Sequence, residues 1–365
     1  MGPEGVLRVG LRIDGARVVQ VRISSSRPDI ARQLLSGRSR AEAVAMVPRL
    51  FSICARSQAA ASELACAAAA GEPVAEAILA RARDSVSAET LRETAWRTLL
   101  EWPKAIGELP GEAAIAAARG ALTGPVGGSG EAIALAAFGS SAEEWLALQT
   151  LPALQRWADQ GRTATARFVR HALDDDDAAA GTQPAQAMAT VALLATPEQA
   201  STLVELAQAI EADPAFARRP IWRGAAAETG ALARWQSDAL LRSLMQRCHS
   251  RVPARFVARL HELALLLAGR GSAALGATAL PDGSGLAWIE NARGLLVHRL
   301  RLVQGRTADY RIVAPTEWNF HPDGALPAAA LDIPAHDLDD LHRRVSVLVD
   351  SLDPCVACSV EVEDA

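Results

Sequence analysis

The feature of the sequence with the clearest chemical potential is a pair of cysteines near the C-terminus, in the run Asp353-Pro-Cys355-Val-Ala-Cys358. Two thiols three residues apart can chelate one metal ion or close a strained disulfide. A structural zinc site needs a second pair with matching spacing, which the sequence lacks, and thioredoxin-like motifs open a helix after a strand. The spacing alone leaves three interpretations open: metal binding, thiol redox chemistry and an inert surface pair.

The other cysteines are Cys54, Cys66 and Cys248. Five cysteines without even spacing in 365 residues do not form the pattern of a disulfide framework. Cys66 lies in an alanine-rich run and Cys248 ends a helical stretch, so both are expected to pack as small hydrophobic side chains. The chain is therefore expected to carry reduced thiols.

The composition favours a helix-rich protein. Half of the residues are hydrophobic and 4% are aromatic, and much of the hydrophobic half is alanine. The formal net charge is −5 and no basic stripe is interleaved with aromatic residues, which argues against nucleic-acid binding. The first nine residues lack the apolar segment of a signal peptide, and the longest apolar runs are too short to cross a membrane. We expect a soluble cytoplasmic protein.

Strands near both ends of the chain, with helices between them, have to position the thiols. Residues 6–23 alternate apolar and polar around Asp14-Gly15, which predicts a β-hairpin. Helical spacing and helix punctuation predict helices at 40–70, 87–102, 199–212, 225–247, 254–270 and 336–350. Short apolar runs predict strands at 286–289, 295–303 and 310–313.

The fold class expected from these elements is α+β and predominantly helical, in a single domain over residues 1–365. Its parts would be a hairpin at 1–27, a helical core at 28–270, and a small sheet with a C-terminal helix and the cysteine tail at 271–365. Within the core, the glycine-rich segment 120–130 predicts a loop, and the acidic run 174–177 predicts the start of a linker over about 174–186.

Several separated motifs resemble, in the right order, the large subunit of [NiFe] hydrogenases. The N-terminal motifs are similar to the family's RIEGH strand, ILKGR helix and RICGVC segment, and the later ones to its ExGPLAR, EAPRGxLxH, PTxWN and DPCxxC segments. In this chain they read RIDG at 12–15, LLSGR at 34–38, RLFSIC at 49–54, AETGALAR at 227–234, ENARGLLVH at 290–298, PTEWN at 315–319 and DPCVAC at 353–358. The resemblance implies a shortened, degenerate large-subunit fold.

The resemblance also implies which residues would surround a metal. In the family, the first cysteine of each pair binds nickel and the second bridges nickel and iron. Here the first N-terminal cysteine is replaced by Phe51, whereas Cys54, Cys355 and Cys358 are kept. Nickel needs a full set of soft thiolate donors, so no nickel is expected.

Two further sets of residues come from the same resemblance. Arg293 and Asp353 are retained, so a cationic pocket around the ligands of an iron ion is expected to persist. The last histidine of the family is replaced by Glu361, and a carboxylate of the family's magnesium site aligns with Arg32. We predict that Arg32 and Glu361 form an ion pair that docks the tail, with two exposed charges as the plainer alternative.

The function implied is that of the non-catalytic hydrogenase assembly scaffolds of the HupK/HoxV type. Such a protein would hold iron with cyanide and carbonyl ligands transiently through Cys54 and Cys358, with Cys355 beside them. The implied partners are hydrogenase assembly chaperones and the large-subunit precursor. Two alternatives are a metal-free protein that mimics the large subunit to recruit or protect maturation factors, and a thiol oxidoreductase that uses Cys355 and Cys358.

Overall fold

The structure is a computed structural model that describes residues 5–27, 30–51, 53–123, 126–178, 191–194, 196–197, 199–331 and 333–364. Helices dominate, and three small sheets flank them. Among these described residues, none of the helices combines the length and the apolar character that crossing a bilayer requires.

The N-terminal hairpin is confirmed and is completed by the end of the chain. Strand β1 (Val6–Asp14) pairs antiparallel with β2 (Arg17–Ser25). The last strand, β10 (Ala357–Asp364), pairs with β1 in parallel, so that Leu7 lies opposite Cys358. The inner face of β1 is apolar and packs against the C-terminal helix and its neighbours. The cysteine tail is thus docked on the hairpin as a strand.

The first group of helices lies on both sides of Cys54 in the sequence. It comprises α1 (Ile30–Leu35), α2 (Arg40–Leu50), α3 (Ala55–Ala69), α4 (Glu76–Trp96) and α5 (Trp102–Ala105). Helices α1 and α2 precede Cys54, and the others follow it. Between α4 and α5, residues Arg97–Glu101 form a π-helical segment. Such π-helical segments are frequent at functional sites.

A second group of helices forms the bundle at the centre of the molecule. Its members are α6 (Glu112–Thr123), α7 (Val126–Phe138), α8 (Ala142–Leu146), α9 (Leu151–Gln160), α10 (Ala164–Ala178), α12 (Ala231–Trp235), α13 (Ala239–Arg247) and α14 (Val252–Leu267). The core of the bundle is built around an aromatic cluster in which Trp102 lies 5.1 Å from Phe168 and 4.9 Å from Phe256, measured between ring centroids. Helix α11 (Ala200–Ala212) packs in a separate core with Trp222 and Trp318.

Two further sheets complete the fold. The small one has the order β3 (Ala192–Leu193), β5 (Ala225–Glu228), β4 (Ile221–Trp222). The larger is a four-stranded antiparallel meander of β6 (Leu275–Ala279), β7 (Ser284–Asn291), β8 (Gly294–Val303) and β9 (Arg306–Val313). Helices α15 (Pro315–Asn319), α16 (Ala325–Ala330) and α17 (Leu338–Leu352) then lead to the cysteine tail.

Several predictions about local structure were wrong. The glycine-rich segment predicted as a loop contributes the end of α6 and the start of α7, with positions 124 and 125 outside the described residues. The acidic run is the end of α10 and not a linker, because buried Asp176 accepts hydrogen bonds from the backbone N–H groups of His249 and Ser250, at 2.7 and 2.8 Å. Positions 179–186 of that predicted linker lie outside the described residues.

Some predicted boundaries were also wrong. The helix predicted from position 87 begins eleven positions earlier, at Glu76, and continues through the π-helical segment. The helix predicted over 40–70 is two helices, α2 and α3, which are separated by the segment that carries Cys54. The start of the helix predicted at 225–247 is strand β5.

Candidate functional site

Cys54 lies at the start of α3, where it occupies the N-cap position, and its side chain is buried. The first turn of α3 is capped by Glu89 of α4, whose carboxylate accepts the backbone N–H groups of Arg56 and Ser57 at 2.8 and 3.0 Å. Gln58, one turn along α3, places its Nε2 3.8 Å from the Sγ of Cys54. The position of this thiol is therefore set by the helix start and its cap.

Cys355 follows the end of α17 and is also buried. The helix ends at Asp353, which adopts a left-handed conformation with φ 51°. Thr316 of α15 holds the cysteine, because its Oγ1 lies 3.1 Å from Sγ and accepts the backbone N–H of Cys355 at 3.3 Å. The PTEWN motif thus contacts the DPCVAC motif directly.

Cys54 and Cys355, from opposite ends of the chain, share one environment. Burial, together with the proximity of Cys355 and of the Glu89 carboxylate, raises the pKa of Cys54 to about 12, although the guanidinium groups of Arg293 and Arg27 act in the opposite direction. Both cysteines are free thiols. Cys54 is therefore close enough to Cys355 for an electrostatic effect, and Ile53, which precedes Cys54, lines one pocket with Cys355 and Cys358.

Cys358 occupies a different part of the site. It lies in strand β10 and lines a pocket of about 320 Å³ together with Cys355, Arg97 and Asp350. Burial raises the pKa of the Cys358 thiol to about 11, and the neighbouring carboxylate of Asp350 adds to this effect. This thiol is half-buried, so it is more accessible to solvent than the other two.

The carboxylate of Asp353, two residues before Cys355, lies among three arginines. Its Oδ1 lies 3.1 Å from Nε of Arg97 and 3.8 Å from Nε of Arg293, and its Oδ2 lies 3.8 Å from Nη2 of Arg259. Burial alone would raise the pKa of Asp353, but these guanidinium groups hold it below its usual value. Asp353 is therefore a buried carboxylate in a cationic environment.

The guanidinium of Arg293 forms ion pairs but leaves one N–H group without a hydrogen bond among the described residues. Its Nη2 lies 3.0 Å from the carboxylate of Glu93, and its Nε is buried without a hydrogen-bond partner among the described residues. Glu290, three positions before Arg293, pairs with Arg234 instead, with its Oε2 2.6 Å from Nη1 of that arginine. A buried unpaired donor is costly, so this N–H is suited to a ligand.

The turn that carries Arg293 is held by two asparagines. Asn291 Oδ1 accepts the backbone N–H groups of Arg293 and Gly294, at 2.9 and 3.2 Å. Asn319 donates to the carbonyl of Arg293 at 3.2 Å and accepts the N–H of Thr229 at 2.9 Å. Three motifs that are far apart in sequence, AETGALAR, ENARGLLVH and PTEWN, therefore converge on one turn.

The predicted ion pair between Arg32 and Glu361 is not formed. Arg32 lies on α1, which packs against β9, and its Nε is 3.2 Å from Oδ1 of Asp309. Glu361 is an exposed residue of β10, opposite Gly10 of β1. The prediction of this ion pair was therefore wrong. The tail is held instead by the backbone hydrogen bonds between the parallel strands β1 and β10.

Three groups of site residues were not predicted from the sequence. Arg27 pairs with Glu317 and lies over the ring of Phe51. Arg97 and Arg259 contact Asp353. A buried hydrogen-bonded chain runs from Gln58 through His298 to Tyr310, with both ring nitrogens of His298 at 2.9 Å from their partners. Arginines are frequent in this sequence, so no local pattern distinguishes these three. His298 is the last residue of the ENARGLLVH motif, and this motif is the only feature of the sequence that could have indicated it.

Within the described ranges, no group of three or more His, Cys, Asp or Glu side chains is arranged so that it could hold a metal ion. The protein itself therefore offers an incomplete set of donors. What it does offer is two buried thiols, a third at the edge of a pocket, and a cationic surround.

Comparisons with known proteins agree with this geometry. A family model described as nickel-dependent hydrogenase matches residues 269–361. The hydrogenase expression/formation protein HoxV of Cupriavidus necator is 33% identical, over 94% of this chain and 93% of its own length. The hydrogenase expression/formation protein HupK of Rhizobium leguminosarum bv. viciae is 29% identical, over 99% of this chain and 97% of its own.

The fold is that of a shortened hydrogenase large subunit. The Ni-Fe-Se hydrogenase of D. vulgaris Hildenborough superposes with a TM-score of 0.58 at 16% identity, covering 94% of both chains. This similarity confirms the predicted α+β, predominantly helical fold. With the near full-length similarity to HoxV, it shows that the chain belongs to the family of hydrogenase expression/formation proteins of the HoxV and HupK type.

Proposed function

We propose that the chain acts in hydrogenase maturation as a scaffold that transiently holds iron with cyanide and carbonyl ligands, before this fragment passes to the large subunit of a [NiFe] hydrogenase. The maturation role is supported by the names of its full-length relatives, which are hydrogenase expression/formation proteins. The cargo is inferred from the chemistry of the thiol site.

The observation that carries the proposal is the burial of Cys54 within electrostatic range of Cys355, with the preceding residue, Ile53, in the pocket that Cys355 and Cys358 line. Thiolates bind iron strongly, and an iron ion that already carries cyanide and carbonyl ligands needs few donors from the protein. The resemblance to the large subunit assigns the iron to Cys54 and Cys358, and the geometry adds Cys355 as a second candidate partner. An incomplete set of protein donors suits a fragment that brings its own ligands.

The charges around the thiols suit an anionic cargo. Arg293, held by Asp353 and Glu93, has a buried Nε donor without a hydrogen-bond partner among the described residues. The nitrogen of a bound cyanide is a hydrogen-bond acceptor that such a donor would satisfy. We therefore infer that Arg293 orients the iron fragment and that Asp353 positions Arg293.

Transient binding follows from the state of the thiols. Burial raises the pKa of Cys54 to about 12 and that of Cys358 to about 11, so both are protonated at neutral pH before metal arrives. Because metal must displace these protons, net affinity is lower than for preformed thiolates. The cargo is thus bound, but it can be released to a more complete site.

No hydrogenase activity is expected of this chain. Phe51 occupies the position of a nickel-binding cysteine in the resembling family, and a phenyl ring supplies no donor. The expected partners are hydrogenase assembly chaperones, which would deliver the fragment, and the large-subunit precursor, which would receive it. The cytoplasm, where such precursors are assembled, is the expected location.

The competing function is a metal-free protein that recruits or protects maturation factors by mimicking the large subunit. Complementation of a deletion strain separates the two. We expect wild-type protein to restore hydrogenase maturation and the Cys54→Ser, Cys358→Ser double variant to fail, while Cys248→Ser, remote from the site, behaves as wild type. Restoration by a double variant present at wild-type level would contradict the scaffold role and favour the metal-free one.

The individual cysteine variants refine the ligand assignment. If iron is held by Cys54 and Cys358, Cys355→Ser keeps more maturation than Cys358→Ser does. The reverse order would assign the iron to the two buried thiols, Cys54 and Cys355.

A further inference from the structure

A chain of four buried side chains runs from Cys54 to the larger sheet. The Nε2 of Gln58, one turn along α3, lies 3.8 Å from the Sγ of Cys54. The Oε1 of the same amide lies 2.9 Å from Nε2 of His298 on β8, whose Nδ1 lies 2.9 Å from the hydroxyl of Tyr310 on β9. Cys54 is 7% exposed and the other three residues are at most 1% exposed, so solvent does not compete for these contacts.

The imidazole of His298 sets the direction of these hydrogen bonds. Burial lowers its pKa to about 3, so the ring is neutral at pH 7 and carries one N–H. Because its Nε2 faces a carbonyl oxygen, which only accepts, the proton lies on Nε2, and Nδ1 accepts the hydroxyl of Tyr310. The oxygen of the Gln58 amide is thereby occupied, and its NH₂ group is left facing the sulfur.

This direction is the one that a metal-binding sulfur requires. A cysteine that ligates a metal is a thiolate, which accepts hydrogen bonds and cannot donate them. With the amide of Gln58 reversed, its oxygen would face the thiolate, and two groups that only accept would be in contact. The chain is therefore arranged for the ligating form of Cys54 before any metal is present.

We propose that Gln58 is a positioning residue for the iron fragment. It donates an N–H to the sulfur of Cys54 in the metal-bound form, and His298 and Tyr310 hold its amide in that orientation. The inference rests on the proposed function, since it takes Cys54 to be an iron ligand. A hydrogen bond to an ionised acceptor is stronger than one between neutral groups, so this donor stabilises the thiolate. It also withdraws charge from the sulfur, which then donates less to the metal.

The orientation of the amide is tested first, on the metal-free full-length protein. Nitrogen-15 NMR of the histidine rings distinguishes a protonated ring nitrogen from an unprotonated one. We expect His298 to carry its proton on Nε2 alone, with its signals identified by their loss in His298→Gln. Tyr310→Phe, which should shift the Nδ1 signal of the same ring, gives the assignment if His298→Gln does not fold.

The effect on the sulfur is tested with Co²⁺ alone as the probe, on purified protein without oxygen. The signal is the thiolate-to-cobalt charge-transfer absorption that Cys54→Ser removes. We expect Gln58→Met, which keeps the length of the side chain but has no N–H, to bind Co²⁺ about tenfold more weakly than wild type. Its charge-transfer band should lie at lower energy, because a sulfur without the hydrogen bond donates more charge.

A double-variant comparison tests whether Tyr310 acts through Gln58. Tyr310→Phe should weaken Co²⁺ binding in the wild-type background and have no further effect in Gln58→Met, because the group that it orients is already gone. Gln208→Met, on the exposed face of α11, is the matched control and should bind Co²⁺ as wild type does. Thermal unfolding identifies any variant that does not fold, and Gln58→Leu then replaces Gln58→Met.

A proton on Nδ1 of His298, or on both ring nitrogens, would overturn the inference, because the oxygen of Gln58 would then not be held by His298 as described. Equal affinity and equal charge-transfer energy in wild type and Gln58→Met would overturn it as well, and additive effects of Tyr310→Phe and Gln58→Met would remove the role of Tyr310. Failure of the proposed function is read separately, from the cyanide and carbonyl bands of wild-type protein purified from cells. Those bands can be absent while the tautomer and the Co²⁺ results are as expected, and the converse can also occur.

Discussion

Thr316 forms two hydrogen bonds with Cys355. Its Oγ1 lies 3.1 Å from the Sγ and accepts the backbone N–H of the same residue at 3.3 Å. One hydroxyl therefore fixes both the backbone and the thiol of Cys355. Because Thr316 is itself buried on α15, the position of this thiol depends on the packing of that short helix.

Thr316→Val should destabilise the protein, since it leaves the buried N–H of Cys355 without its acceptor. The expected loss is about 1–3 kcal/mol in the free energy of unfolding, measured by urea denaturation. Thr278→Val, on an edge strand where the hydroxyl is near the surface, is the matched control. Equal losses in both variants would show that the contact to Cys355 contributes nothing specific.

Glu228→Gln should lower the free energy of unfolding by more than Thr316→Val does, because it disrupts a buried ionic cluster. The carboxylate of Glu228 lies 2.8 Å from Nε of Arg255 and 3.2 Å from Arg251, and its side chain is 2% exposed. Removing one partner of such a cluster leaves buried cations behind, at a cost of about 3–5 kcal/mol. Glu72→Gln, which breaks an exposed pair with Arg40, should leave the denaturation midpoint nearly unchanged.

His298 should make the protein less stable in acid. Burial lowers its pKa to about 3, whereas an unfolded histidine titrates near its usual value of about 6.5. Between these values the unfolded chain binds the proton and the folded chain does not, so stability falls as the pH decreases from about 6.5 towards 3. By pH 4 the loss from this residue is about 3 kcal/mol.

The measurement is the free energy of unfolding against pH for wild type and His298→Gln. The variant should show a shallower slope between pH 6.5 and 4, whatever its stability at pH 7, while His342→Gln, an exposed histidine on α17, should keep the wild-type slope. An unchanged slope in His298→Gln would mean that this residue does not stay neutral in the fold.

Gly285→Ala should displace the helix that begins at Cys54. A Cβ at Gly285 would lie 2.2 Å from the carbonyl oxygen of Ala65 and 2.3 Å from the nitrogen of Ala69, both backbone atoms of α3. Overpacking of this kind costs about 1–3 kcal/mol, measured by thermal or urea unfolding. Gly10→Ala, whose Cβ would meet no atom closer than 3.8 Å, is the control and should be nearly neutral.

The sequence predicted those elements whose own pattern decides their structure. The hairpin of β1 and β2 and the strands of the larger sheet follow from alternation and turn residues, and the helices of the bundle from apolar spacing. The segment 120–130 was wrongly predicted to be a loop, because glycine-rich sequence can remain helical where two helices pack closely. At Gly120 of α6, an added Cβ would lie 3.1 Å from the Cβ of Ser129 in α7. The acidic end of α10 was predicted wrongly because distant groups pair with it, as Arg343 does with Asp175 at 3.0 Å.

The site was predictable only in part. Cys355 and Cys358 were found from spacing, and Cys54, Arg293 and Asp353 from resemblance to a family. The proximity of Cys54 to Cys355 depends on contacts between the two ends of the chain, which no local pattern encodes. The contacts of Arg27 were missed for the same reason, since its ion-pair partner, Glu317, lies 290 positions away in the sequence.

The most direct test of the scaffold role is infrared spectroscopy of cyanide and carbonyl stretching bands, on protein purified without oxygen from cells that express the maturation machinery. We predict bands in the wild-type protein that are lost in the Cys54→Ser, Cys358→Ser variant, with iron content falling in parallel. Absence of the bands from wild type, with iron below stoichiometric amounts in both proteins, would contradict the account.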